Sequence, residues 1–152
     1  MFTISKEFHF SASHVLYGLP SDHPCSRLHG HNYKVVFELQ SQTLNETGFV
    51  RDYRSLDIVK HMIDDKFDHR HLNTIKPFDS INPSAENIAY FLFEKFRHYL
   101  PELTAVTVME TDKTAATYRK HQLEGTTFKS GVALPQDHEH VPLADREVDV
   151  WR

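Results

Sequence analysis

Phe2, Ile4, Phe8 and Phe10 fall on even positions at the start of the chain, with Thr3, Ser5, Glu7 and His9 between them. This period of two predicts a strand with one buried face. Residues 11–31 carry glycine, proline, serine and aspartate and read as a long loop, a length that usually marks function in a small domain. NYKVVFELQ (32–40) reads as a second strand and NETG (45–48) as a turn. In SLDIVKHMIDDKF (55–67), Leu56, Val59, Ile63 and Phe67 share one helical face. A second loop is predicted over 68–82. The following helix has start signals at Asn82, Pro83 and Ser84, an apolar face of Ile88, Phe91, Leu92, Phe96 and Tyr99, and a stop at Pro101. LTAVTVMETD (103–112) alternates again, and AATYRKHQL (115–123) is its hairpin partner through a turn at Asp112–Lys113.

The order strand, strand, helix, helix, strand, strand predicts one α+β domain over residues 1–124. Its expected architecture is a four-stranded antiparallel sheet with both helices on one face. Such a sheet has two open edges, and pairing them with the edges of another subunit is one way to manage them. From Gly125 the pattern fades. Residues 125–152, with two prolines and scattered apolar positions, form a C-terminal extension of unknown role, either mobile or laid along a neighbouring subunit.

Composition narrows the classes. With 17 basic and 21 acidic residues the net charge is −4, which argues against a dedicated nucleic-acid binder. No apolar run approaches the roughly 20 residues of a membrane span. The first ten residues lack the basic and apolar regions of a signal peptide. A single cysteine cannot form an internal disulfide, so a reducing, cytoplasmic setting is expected. The unusual number is twelve histidines, against about three or four in an ordinary chain of this length. Histidine is both the commonest metal ligand and a frequent acid–base group.

Two constellations stand out. His29 and His31 flank Gly30, and in extended backbone they point the same way, roughly 6–7 Å apart at Cα, which suits two imidazoles converging on one ion. Catalytic zinc typically keeps three protein ligands and one open position. Spacing alone leaves the third ligand open among His9, His14, His23, Cys25, His69 and His71. In FDHRHLN (67–73), Asp68 precedes His69 and can orient its imidazole. Glu110 shares a strand face with Val106 and Val108, an expensive place for a carboxylate unless a ligand pairs with it or the strand end is solvated. A ring edge with two adjacent N–H donors would suit it.

The segments FSASH (10–14), CSRLHGHNY (25–33), FDHRHLN (67–73), PSAEN (83–87) and VTVMETD (106–112), in this order, resemble the 6-pyruvoyl-tetrahydropterin synthase superfamily. The resemblance runs from about Phe2 to Tyr118. It is greatest to the bacterial branch that forms 6-carboxytetrahydropterin in the queuosine (7-deazaguanine) pathway, because Cys25 lies only four residues before His29. The family implies zinc held by His14, His29 and His31. It implies Cys25 as catalytic base off the metal, and Asp68 with His69 as its partners. Glu110 corresponds to the carboxylate that anchors the pterin ring, and Glu86 belongs to the neighbouring substrate-binding motif. That motif departs from the family's usual Pro-Thr-Ser/Thr-Glu, reading Pro83-Ser84-Ala85-Glu86, so a hydroxyl contact at position 85 is lost. Arg27, between the cysteine and the histidines, is a candidate phosphate or carboxylate contact.

The resemblance further implies the tunnelling fold, in which trimers close their sheets into a barrel and two trimers stack into a hexamer with active sites between subunits. The implied reaction is a carbon–carbon lyase step on 7,8-dihydroneopterin triphosphate, releasing triphosphate and acetaldehyde and leaving 6-carboxy-5,6,7,8-tetrahydropterin. The rivals are triphosphate elimination to 6-pyruvoyl-tetrahydropterin, a zinc hydrolase, and a non-catalytic zinc-stabilised oligomer.

Overall fold

The structure, a computed structural model, describes residues 1–119. The extension over 125–152, the domain boundary at 124 and the last positions of the expected final strand lie outside the described residues. Strand β1 spans Phe2–His14 and β2 spans His29–Ser41. Helix α1 covers Asp57–Lys66 after a 3-10 turn at Tyr53–Leu56, a two-residue strand β3 covers Arg70–His71, and α2 covers Ala85–Phe96. Strands β4 (Leu103–Thr111) and β5 (Thr114–Arg119) close the described region.

The strands form one sheet in the order β3-β1-β2-β4-β5. All pairings are antiparallel except β1 with β3, where Ala12 lies opposite Arg70 and Ser13 opposite His71. The α+β class and the two helices are as expected. The fifth strand is a correction, since Arg70–His71 falls in what reads as a loop. Two residues are too few to show a period, and the pairing lies directly beside the hydrogen bonds that join Asp68 and His69 to Ser11. The expected loop at 11–31 is also too long, because β1 continues to His14 and β2 begins at His29. The apolar signal stops early at both ends, where the inward positions change from aromatic residues to Ala12 and histidines.

The core follows from alternation. Phe8, Phe10 and Ala12 of β1, Tyr33, Val35, Phe37 and Leu39 of β2, and Val106 and Val108 of β4 are buried on one face. Both helices cover that face. Phe37 meets Phe96 of α2 edge-on at 5.8 Å, and Phe10 meets Phe67, just beyond α1, at 5.4 Å. Val59 and Ile63 of α1 and Ile88, Ala89, Leu92 and Phe93 of α2 complete the apolar layer. Ser84 caps α2 by accepting a hydrogen bond from the Asn87 backbone N–H at 3.3 Å. Lys6 ties β1 to the start of α1 through Asp57 at 3.0 Å. On the other face of β1, Thr3, Ser5, Glu7 and His9 are exposed, so His9 is the solvated strand position its neighbours predict.

Phe37 is fully buried between Phe8 and Phe96. Phe37→Ala is expected to lower unfolding free energy by about 3–5 kcal/mol in urea titrations. A loss below about 1 kcal/mol would contradict this packing.

Candidate metal centre and active site

The alternation that buries the core does not stop where the apolar residues do. In β1, Phe8, Phe10 and Ala12 are followed in phase by His14. In β2, His29 and His31 precede Tyr33 and Val35 in the same phase, and in β4, Glu110 follows Val106 and Val108. His14 pairs with His29 across the two strands and Ala12 pairs with His31. At one end, the core face of the sheet therefore turns from hydrocarbon to imidazole and carboxylate. Gly30 lets the strands lie close, since a methyl group there would press on the Ala12 carbonyl oxygen at 3.0 Å.

One ligand atom each from His14, His29 and His31 lies within 4.8 Å of the other two. His14 is 1% exposed. Its Nδ1 donates to the Pro83 carbonyl at 2.8 Å, with the Tyr33 hydroxyl 3.2 Å away. The Nδ1 of His29 donates to the Arg27 carbonyl at 2.7 Å. Both rings then present an Nε2 lone pair, and these two atoms stand 3.0 Å apart. Facing lone pairs repel unless a proton or a cation lies between them. Burial opposes the proton. It is the largest influence on His14, whose pKa falls to about 4, with the neighbouring charges of His29, His31 and His71 acting in the same direction and the Pro83 carbonyl against it. Burial, then His29, also lowers His31. A metal cation satisfies all three rings. The ligand nitrogens of a tetrahedral zinc site are about 3.3 Å apart, so the group is close to the required size, and three neutral imidazoles suit zinc and other transition metals. Carbonyl acceptors behind the ligand rings are the usual second layer of such sites.

Glu110 Oε1 lies 4.0 Å from His14 Nε2. Glu110 also lines a cavity of about 170 Å³ with Glu86, Leu16, Ser84 and Ala85. Burial and the charge of Glu86 raise its pKa, with His29 opposing them. The half-buried carboxylate thus faces an open cavity, with Ala85 in the wall where a hydroxyl-bearing residue was expected. The backbone carbonyl of Cys25 accepts from the Leu16 N–H at 2.9 Å, which ties the cysteine turn to a wall of this cavity. Cys25 is a free, partly exposed thiol in a short 3-10 turn and stands outside the metal-binding group.

Asp68 and His69 form a unit built on β1. One Asp68 oxygen accepts from the Ser11 N–H at 2.9 Å, the other lies 2.8 Å from His69 Nδ1, and the His69 N–H donates to the Ser11 carbonyl at 2.6 Å. The Ser11 hydrogen bond, followed by that of His69, lowers the Asp68 pKa. His69 adopts a left-handed backbone with φ of 55°, uncommon outside glycine and costing about 1 kcal/mol or more. The imidazole is 81% exposed, so its Nε2 is accessible. Among the described residues no hydrogen bond joins the Cys25 thiol to this pair within one chain. The exposed side chain of Arg27 likewise makes no hydrogen bond there, and this residue serves the centre through its carbonyl instead. Four contributors escaped sequence reasoning: the Pro83 and Arg27 carbonyls, the Tyr33 hydroxyl and the Ser11 backbone. Main-chain groups leave no trace in residue type. His71, a candidate ligand by spacing, lies outside the group and contacts Ser13 Oγ through Nδ1 at 3.1 Å.

One buried and two half-buried histidines at the end of an antiparallel sheet, beside a carboxylate in a small cavity, define an α+β protein with a group that could hold a metal ion. Residues 3–121 match the family model described as 6-pyruvoyl tetrahydropterin synthase, and the chain belongs to that family. It is 35% identical over 124 residues to the 6-carboxy-5,6,7,8-tetrahydropterin synthase of Synechocystis, covering 78% of this chain and 93% of that protein. It is 33% identical over 132 residues to the human 6-pyruvoyl tetrahydrobiopterin synthase, covering 76% and 90%. The structure superimposes on the Caenorhabditis elegans 6-pyruvoyl tetrahydropterin synthase with a TM-score of 0.69 at 28% identity, over 79% of this chain and 96% of that one. Among the described residues no helix is long and apolar enough to cross a membrane.

Without metal, burial lowers the pKa of His14 to about 4 and that of His31 below its ordinary value in the folded state, whereas in the unfolded chain both titrate near 6.5. As pH falls from 6.5 towards 4, the unfolded chain takes up protons that the folded chain resists. Metal-free protein is therefore expected to lose stability over that window and to lose none of it from this source above 6.5. Denaturant titrations at stepped pH, with and without chelator, check this, and zinc is expected to raise the melting temperature less as pH falls.

Proposed function

We propose that this protein is a zinc enzyme that converts 7,8-dihydroneopterin triphosphate and one water to 6-carboxy-5,6,7,8-tetrahydropterin, with release of triphosphate and acetaldehyde, a step of queuosine biosynthesis. The observation that carries the proposal is the three-histidine group with Glu110 4.0 Å from it and the only cysteine outside it. The Synechocystis and Bacillus subtilis relatives, both named as the carboxy-forming synthase, support the same branch. The short spacing from Cys25 to His29 favours it as well.

His14, His29 and His31 hold the ion, which when bound supplies Lewis acidity to the side-chain hydroxyls of the substrate. Glu110 accepts hydrogen bonds from the ring edge of the pterin in its cavity, with Glu86 on the same wall. Cys25, as thiolate, takes the proton from the side-chain carbon. His69, whose Nδ1 is engaged by Asp68, moves protons at Nε2. Arg27, exposed beside the cysteine turn, is available to an anionic group of the substrate. The protein acts in the cytoplasm as a homo-oligomer, a hexamer of two stacked trimers, through the outer edge of β5 and the stretch of β1 that β3 leaves unpaired. The second reading, 6-pyruvoyl-tetrahydropterin formation, uses the same site and draws on the human relative.

Zinc-loaded protein mixed with 7,8-dihydroneopterin triphosphate is expected to give acetaldehyde and a carboxypterin by mass. A pyruvoyl product without acetaldehyde moves the protein to the second reading. Cys25→Ala is expected to slow turnover by about 100-fold or more while zinc content is kept. Turnover at the native rate in that variant would overturn the mechanism.

A further inference from the structure

Val15, Leu16 and Tyr17 follow the last residue of β1, and the main chain of each is engaged outside the sheet. The N–H of Val15 donates to Asn73 Oδ1 at 2.8 Å, and Asn73 Nδ2 donates to the Val15 carbonyl at 2.9 Å. Two residues on, the N–H of Tyr17 donates to Asn82 Oδ1 at 2.7 Å, and Asn82 Nδ2 donates to the Tyr17 carbonyl at 2.9 Å. Each amide thus engages both main-chain groups of one residue, as a neighbouring strand would. Between them, the N–H of Leu16 donates to the Cys25 carbonyl at 2.9 Å. The alternation is that of an extended chain, with the asparagines along one edge and Cys25 on the other.

The register accounts for the first clamp. Strand β3 pairs in parallel with β1, Ala12 beside Arg70 and Ser13 beside His71. Continued by two residues, the same register sets Asn73 beside Val15. There the main chain has left the strand for the 3-10 turn Leu72–Thr74, and the Asn73 side chain supplies the donor and acceptor that β3 no longer does. Both clamps have firm bases. Leu72 is fully buried, and the Asn82 carbonyl accepts from Asn87 Nδ2 of α2 at 2.8 Å. The cysteine turn is braced within itself, since His23 Nδ1 accepts from the Cys25 N–H at 3.1 Å and Ser26 Oγ donates to the His23 carbonyl at 2.7 Å. It is therefore placed as a unit. Among the described residues, the remaining hydrogen bond from residues 15–28 to the rest of the chain is the one that the Arg27 carbonyl accepts from His29.

We propose that Asn73 and Asn82 are positioning residues: by fixing Val15 and Tyr17 they hold Leu16 where it binds the Cys25 carbonyl, and so set the cysteine turn against the Glu110 cavity that Leu16 lines. What this placement does for turnover rests on the base role proposed for Cys25. Among the described residues neither asparagine side chain hydrogen-bonds to His14, His29 or His31, so the clamps act on the cysteine side of the site.

Hydrogen exchange at the Leu16 amide of the zinc-loaded full chain tests the clamps without substrate. Asn73→Ala and Asn82→Ala are each expected to speed that exchange at least about tenfold with zinc content kept. With 7,8-dihydroneopterin triphosphate, each is expected to lower kcat at least about tenfold and to change KM less than about threefold. In a Cys25→Ala background neither is expected to slow the residual turnover further, because a clamp that acts through the cysteine has nothing left to place. Asn45 is the control. It accepts from the N–H groups of Thr47 and Phe49 in the turn after β2, and Asn45→Ala is expected to leave Leu16 exchange and kcat unchanged. Leu16 exchange at the wild-type rate in both clamp variants would overturn the proposal, as would an unchanged kcat in an active enzyme. So would losses that persist undiminished in the Cys25→Ala background or that follow a loss of zinc, because the asparagines would then act on the fold or the metal. Should an alanine variant fail to fold, Asn82→Asp, which keeps the acceptor for the Tyr17 N–H and loses the donor, is expected to show the same changes in smaller measure, and wild-type behaviour in it would count against the clamps. If Leu16 exchange rises in both variants while the wild type does not turn over the pterin triphosphate, the clamps stand and the proposed reaction falls.

Discussion

The pairing of β1 with β2, residue against residue from Phe2–Ser41 to His14–His29, is the constraint on which the rest of the molecule depends. Side chains alternate across a sheet, so a fixed register decides at once which residues enter the core and which enter the site. Here both sets lie on the same face. Phenylalanines occupy it along most of its length and histidines occupy its end. The helices are needed to bury the aromatic part, and the loop preceding α2, through the Pro83 carbonyl, orients the polar part. Core and site are one surface continued.

The continuity explains the electrostatics. A histidine at the edge of a hydrocarbon layer is desolvated whether or not a ligand is present, and so is a carboxylate. His14 is pushed towards neutrality by the same burial that pushes Glu110 towards its protonated form. Uncompensated, both are costs of folding. A metal ion on the imidazoles and a hydrogen-bond donor on the carboxylate would turn each cost into affinity. Asp68 and His69 lie on a different footing. Asp68 is half-buried and His69 exposed, both are held by bonds to the Ser11 main chain, and the strained backbone at His69 is the local price of aiming the imidazole outward.

Most of the fold was legible because its elements announce themselves by period. Even-numbered phenylalanines, the helical spacing of Leu56, Val59, Ile63 and Phe67, and the alternation around Val106 and Val108 all correspond to observed elements. What was not legible has one cause. Where the inward positions become polar, the period persists but hydrophobicity no longer reports it, so the last turns of β1 and the first of β2 read as loop. The metal-ligand set was ambiguous from spacing alone, with six candidates for one place, and was narrowed by resemblance; the structure brings the same three side chains together. The backbone carbonyls that orient the ligand rings and the two-residue β3 have no pattern by which a sequence could show them. The altered Ser84-Ala85 motif was visible as a departure, and the structure gives Ser84 a capping role that a hydroxyl at position 85 would not replace.

The matched positions of His14 and His29 carry a consequence for how the chain assembles. A slip of one residue in the β1–β2 pairing would send either His14 or the His29–His31 pair to the opposite side of the sheet, and no ion could then collect all three rings. Metal affinity is therefore conditional on correct hairpin alignment. An ion held by the three rings would favour the one registration that satisfies it over its near neighbours, and so would act as a proofreader of strand alignment.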